Sequence, residues 1–92
     1  MLILDLNRDA SHFIGKLQPK QSKQVIRKIQ DLTKEPYPQD SRPLKDISGG
    51  WLRVDSGEFR IIYRVEGNTC YVLAVGKRND DEVYRKLARK LR

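Results

Sequence analysis

Two glycine-containing turn signals, set close together, divide the second half of this chain into three β-capable runs, and that spacing restricts the fold more than any other feature. Residues 51–55, 59–65 and 70–75 are rich in β-branched and aromatic side chains and are separated at Ser56 and Gly57 and again at Gly67 and Asn68. Connections this short join antiparallel neighbours, so the three runs predict a succession of hairpins that begins after Gly49 and Gly50. Side chains alternate across a strand. Phe59, Ile61, Tyr63 and Val65 therefore share one face, while Arg60, Ile62 and Arg64 share the other. The first set reads as core, and the second threads arginine through an apolar strand. Whether Trp51 and Arg53 join the face of Arg60 depends on register.

Upstream the periodicity changes from two to three and four. Leu2, Ile3, Leu4 and Leu6 form a short β-capable run, expected at a sheet edge, and the following Asn7, Arg8 and Asp9 supply polar residues able to cap a helix. Phe13, Ile14 and Leu17 then fall on one face of a helix predicted over residues 10–17. Pro19 opens a second helix whose apolar stripe, Val25, Ile26, Ile29 and Leu32, is flanked by Lys20, Lys23, Arg27 and Lys28. Pro36, Pro38 and Pro43 make residues 35–43 an extended connection. After Gly76, the residues Asn79, Asp80, Asp81 and Glu82 resemble the acidic first turn of a last helix that is rich in Arg85, Lys86, Arg89, Lys90 and Arg92 towards its end. The expected architecture is a single α+β domain over residues 1–92: an N-terminal strand and a helical hairpin packed on an antiparallel sheet of about four strands, with a C-terminal helix and all the helices on one face.

Ninety-two residues, 38% hydrophobic and 34% charged, suit one small domain with a modest core. The formal charge of +7 attracts polyanions, whether nucleic acid, an acidic protein or an anionic membrane surface. Cys70 is the only cysteine, which excludes an intramolecular disulfide and makes a cytoplasmic protein the expectation. The first apolar run is interrupted by Asp5 and lacks the features of a signal peptide. No segment approaches the roughly 20 apolar residues of a membrane span.

Arg53, Arg60, Arg78 and Tyr84 lie on or just beyond the three runs, and together they suggest a basic concave surface suited to phosphate. Each also has a plain structural reading. Arg60 and Arg64 are compatible with solvent-facing strand positions, and Tyr84, spaced with Leu87, Ala88 and Leu91, with a cover for the core. Trp51 reads as a packed aromatic before an RNA stacker, His12 as a surface or partly packed residue, and Cys70 as a small strand hydrophobe. Gly76 permits close approach by another backbone or a ligand.

The stretch Ser56-Gly57-Glu58-Phe59-Arg60-Ile61-Ile62-Tyr63-Arg64, followed by Val75-Gly76-Lys77-Arg78 and Glu82-Val83-Tyr84, resembles the RelE/ParE superfamily of bacterial and archaeal toxins. Pro43-Leu44-Lys45 is similar to that family's entry into its first long strand, and the likeness spans nearly the whole chain. RelE-type members cut messenger RNA in the ribosomal A site, and ParE-type members inhibit DNA gyrase; the Gly76-Lys77-Arg78 and Val83-Tyr84 pieces favour the RelE side. The resemblance implies attack of an RNA 2′-hydroxyl on the adjacent phosphate, without metal or cofactor. It further implies an acidic cognate antitoxin of the RelB kind, and the ribosome and mRNA as partners.

Residue by residue, Arg53 matches a strand lysine of the family's catalytic surface, Arg60 and Arg78 its two arginines, and Tyr84 its tyrosine. Trp51 stands where the family has a further lysine, which bears on proton transfer. Arginine stays protonated and is a poor base, so Tyr84 is the preferred base or orienting group, with Lys77, Lys45 and Glu58 in reserve. Lys45, Lys77, Arg85, Lys86 and Arg89 are expected to contact RNA, although the C-terminal basic run reads equally as a solvated helix face. A gyrase inhibitor and a noncatalytic basic RNA-binding module are the competing functions.

Overall fold

Asn7 ends the first strand and starts the first helix. Its side-chain oxygen accepts from the Asp9 N–H at 2.8 Å, which satisfies one of the donors that a helix N-terminus leaves over. The computed structural model describes residues 1–45, 47–79 and 82–90. In chain order these form β1 (Ile3–Leu6), α1 (Arg8–Gly15), α2 (Pro19–Lys34), β2 (Arg42–Pro43), β3 (Leu52–Ser56), β4 (Phe59–Glu66), β5 (Thr69–Lys77) and α3 (Glu82–Lys90). Pro19 occupies the first turn of α2, where its missing N–H removes no helical bond. The acidic start expected at Asp80 and Asp81, and the helix end at Leu91 and Arg92, lie outside the described residues.

The strands form one sheet in the order β1-β5-β4-β3-β2. The hairpin succession β3-β4-β5 is antiparallel as expected, and β1 is an edge strand. Two features depart from the expected sheet. The proline-rich connection contributes the two-residue β2, whose Pro43 is tolerated because the strand is an edge. β1 runs parallel to β5, an arrangement that needs a long connection, and everything from α1 to β4 intervenes.

The turn between β3 and β4 falls at Gly57 and Glu58, one residue later than the Ser56 and Gly57 expected from sequence. Gly57, at φ +60°, takes the first turn position because that conformation strains any side chain. Ser56 therefore pairs with Phe59, and Asp55 with Arg60. This one-residue difference places a carboxylate beside an arginine of the candidate site.

Both faces of the sheet are covered. On one, Ala10 and Ile14 of α1 and Val25, Ile29 and Leu32 of α2 pack with Val54, Phe59, Ile61, Tyr63, Cys70, Val72 and Val75. On the other, Val83 and Leu87 of α3 pack with Trp51, Ile62 and Ala74. This second layer corrects the expectation of all helices on one face: Ile62 and Ala74 are apolar and point away from α1 and α2, so they need a cover of their own. Burying side chains such as Ile62 and Leu87 completely contributes about 1.5–3 kcal/mol each. A β-bulge after Ile62 brings Leu73 alongside this second core. Gly76 allows the approach, since a Cβ there would lie 3.1 Å from the Val83 nitrogen. Among the described residues, no helix is long and apolar enough to cross a membrane.

Candidate active site

The register that pairs Asp55 with Arg60 also pairs Arg53 with Ile62, which settles the face left open by sequence. Arg53, Asp55 and Arg60 all lie on the α3 side of the sheet, with Gly76 across from Arg60 on β5. Helix α3 then brings Tyr84 over the same surface.

Arg60 is the centre of the arrangement. Its Nε donates to Asp55 Oδ1 at 2.7 Å, its Nη2 to Asp55 Oδ2 at 3.3 Å, and its Nη1 to Tyr84 Oη at 2.8 Å. The side chain is only 15% exposed, so the guanidinium has one orientation, fixed from two sides. Arg78 Nη1 approaches Asp55 Oδ2 at 3.7 Å and remains exposed. The Arg78 N–H donates to the Glu58 carbonyl oxygen at 3.0 Å, tying the end of β5 to the β3–β4 turn. Asp55 is consequently held below the usual carboxylate range, first by the hydrogen bond from Arg60 and then by the charges of Arg60, Arg78 and Arg53. Arg60 is raised, chiefly by the same bond to Asp55.

In front of these groups opens a cleft of about 540 Å³ lined by Pro43, Leu44, Lys45, Ile47, Arg53, Arg60 and Tyr84. The bond from Arg60 engages one lone pair of the tyrosine oxygen, and among the described residues nothing accepts from its O–H. Cationic donors and one exchangeable hydroxyl thus surround a polar cleft of a size suited to a phosphodiester and its flanking groups. Among the described residues, no three His, Cys, Asp or Glu side chains gather as a metal-binding group.

Of the nine residues singled out from sequence, Arg53, Arg60, Tyr84 and Lys45 line this cleft, and Arg78 joins it through Asp55. The other four lie elsewhere. Lys77 shares a rung with Phe59 and so belongs to the opposite face. Lys86 is engaged structurally: β1 stops opposite Val72, and Lys86 Nζ supplies a donor to the Val75 carbonyl oxygen at 3.0 Å on the uncovered edge of β5. It also pairs with Glu82 at 3.2 Å and lies 4.2 Å from the Phe13 ring centroid. Lys86 and Arg89 line a separate cleft with Asp9, His12, Phe13, Lys16, Glu82 and Lys90, and Arg85 is exposed. Glu58 accepts from Gln21 Nε2 at 3.1 Å on the turn.

Trp51 is buried, with the Arg64 guanidinium 4.9 Å from its ring, so it is a packed aromatic rather than a cleft residue. Asp55 is the residue of the candidate site that sequence reasoning missed. The signal for it was the glycine in the turn, read one position too early.

A family model described as the ParE toxin of type II toxin-antitoxin systems matches residues 5–82. Similar solved structures include the RelBE2 toxin–antitoxin complex of Mycobacterium tuberculosis, 25% identical with a TM-score of 0.72 over 84% of this chain and 98% of that one. The isolated RelE toxin of E. coli is 20% identical, TM-score 0.70, with all of both chains covered. The archaeal RelE–RelB complex of Pyrococcus horikoshii OT3 is 19% identical, TM-score 0.75, covering 86% of this chain and 97% of that one; these last two speak to the fold. No curated protein matches the chain significantly. With the family model spanning residues 5–82, the chain belongs to the RelE/ParE superfamily as a toxin of a type II toxin–antitoxin system.

Proposed function

We propose that this toxin is a metal-independent endoribonuclease that cleaves messenger RNA in the ribosomal A site. The observation that supports it best is Arg60, fixed between Asp55 and Tyr84 at the wall of a cleft that also holds Arg53 and Lys45. The 2′-oxygen attacks phosphorus, an O2′–P bond forms, the P–O5′ bond breaks, and the products carry a 2′,3′-cyclic phosphate and a 5′-hydroxyl. Negative charge accumulates on the phosphoryl oxygens during attack, and Arg53, Arg60 and Arg78 stabilise it. Asp55 balances part of their charge before substrate arrives and keeps Arg60 aimed.

Tyr84 relays the proton: its oxygen takes up the proton leaving the 2′-hydroxyl while its own O–H proton passes to the departing O5′, since its hydroxyl is the exchangeable group at the cleft wall and arginine stays protonated. Lys45 at the rim assists with phosphate binding. Before release the toxin is held by an acidic antitoxin, a reading supported by the RelB partners in the similar complexes from M. tuberculosis and P. horikoshii. This activity belongs in the cytoplasm.

Cleavage on programmed ribosomes tests the assignment. Arg60→Ala and Arg78→Ala are each expected to lower the rate about 10²- to 10³-fold with the fold intact. Tyr84→Phe is expected to lower it roughly 10²- to 10⁴-fold. Wild-type rates in both arginine variants contradict the roles of these two side chains. The ParE description of the matching family favours a second reading, inhibition of DNA gyrase. Loss of supercoiling activity with no RNA cut establishes that reading instead.

A further inference from the structure

Arg42 and Arg53 face one another across the edge of the sheet, as direct partners between β2 and β3. Like charges directly opposite destabilise a strand pair, so the arrangement favours an anion between them. Among the described residues, the acids nearby make their ion pairs with other bases, Lys28 holding Asp40 at 2.9 Å and Arg60 holding Asp55 at 2.7 Å, and Arg53 feels Asp55 only through its charge. Among the described residues, neither Arg42 nor Arg53 has a carboxylate within ion-pair distance. Arg42 is nevertheless positioned, because its Nη1 donates to the Gln39 and Ser41 carbonyl oxygens at 2.9 and 2.8 Å, while among the described residues the rest of the fork has no acceptor.

The two arginines, with Asp40, Val54 and Asp55, line a cleft of about 180 Å³. Arg53 also lines the 540 Å³ cleft in front of Arg60 and Tyr84. One guanidinium is therefore a wall common to both spaces.

We propose that Arg42 and Arg53 bind a second phosphate of the same RNA strand, the neighbour of the scissile one. The inference rests on the ribonuclease reading and extends it with a residue that the sequence did not single out. A single-stranded nucleic acid presents one phosphate per nucleotide, so a strand with its scissile group at Arg60 brings another charge along this path. The guanidinium fork binds such a group bidentately.

The test uses 2′-O-methyl oligonucleotides, which lack the attacking hydroxyl and stay intact. One probe has a single internal phosphate and the other has several. Arg42→Ala is expected to weaken the longer probe by roughly tenfold, as for one exposed charge-assisted contact. The slope of log affinity against log salt for that probe falls by about 0.7, the value for one phosphate on a single strand. Arg42→Lys, which keeps the charge, restores the slope and only part of the affinity. An unchanged slope and affinity in Arg42→Ala, with wild-type cleavage of messenger RNA intact, overturns this inference alone. A wild-type chain that neither cleaves RNA nor binds either probe overturns the ribonuclease reading with it.

Discussion

The Asp55–Arg60 pair gives the site a pH dependence whose direction is fixed by the sign of one shift. Asp55 is held below the ordinary carboxylate range of about 4, first by the hydrogen bond from Arg60, so its folded value is lower than its unfolded one. The stability it contributes is present above that range and is lost as pH falls through the folded value. Asp55→Asn is expected to lower Tm at neutral pH and to flatten the acid limb of the Tm–pH curve; an unaltered limb contradicts the pairing. Tyr63 gives the opposite case. Burial first of all pushes its phenol up to about 12, and its hydroxyl donates to the Pro36 carbonyl oxygen at 2.7 Å. Its contribution is full below about pH 10 and is lost as pH rises towards 12. Tyr63→Phe is expected to destabilise by about 1–3 kcal/mol near neutrality, and urea titrations should show that deficit shrinking between pH 10 and 12. At this scale, alternation alone was enough to separate Arg60 from Phe59 and Ile61. Asp55 was hidden because its role depends on pairing across the hairpin, and a turn shifted by one residue changes every partner.

Helix α3 is the element on which the site depends, because it carries Tyr84 while the arginines come from the sheet. Two contacts set its height: Val83 and Leu87 in the second core, and the bare backbone at Gly76. Gly76→Ala places a methyl group 3.1 Å from the Val83 nitrogen, so the helix must move by a few tenths of an ångström. We expect the bond from Arg60 to Tyr84 to lengthen and cleavage to fall more than Tm does. Gly15→Ala is the control. Nothing lies within 4 Å of a Cβ there, and a gain of about 0.4–1 kcal/mol is expected from the stiffer unfolded chain. Equal effects of the two substitutions on activity argue against a positioning role for the helix. The existence of α3 was legible from its spaced apolar residues and basic end. Its face was not, because amphipathicity tells which side of a helix is buried but not which side of the sheet buries it. Lys86 illustrates the same limit: a charge run looks solvated in sequence, yet this ammonium completes the edge of β5.

For the molecule as a whole, the order of elements was readable, since glycine turns impose hairpins and the prolines separate the helical hairpin from the sheet. The parallel β1–β5 pairing was not, because its strands lie at opposite ends of the chain, and neither was the two-residue β2, which is too short to leave a periodic signal. That sheet nonetheless produces the feature on which the proposed function rests, three arginines from β3, β4 and just beyond β5 gathered around one aspartate with a tyrosine above them. The central claim is that this group cleaves a phosphodiester through the neighbouring 2′-hydroxyl. Its most direct test is to add the purified chain to ribosomes carrying a defined messenger and to analyse the new ends. The account predicts a cut within the A-site codon, leaving a 2′,3′-cyclic phosphate and a 5′-hydroxyl. An intact messenger, or a cut that leaves a 5′-phosphate, contradicts it.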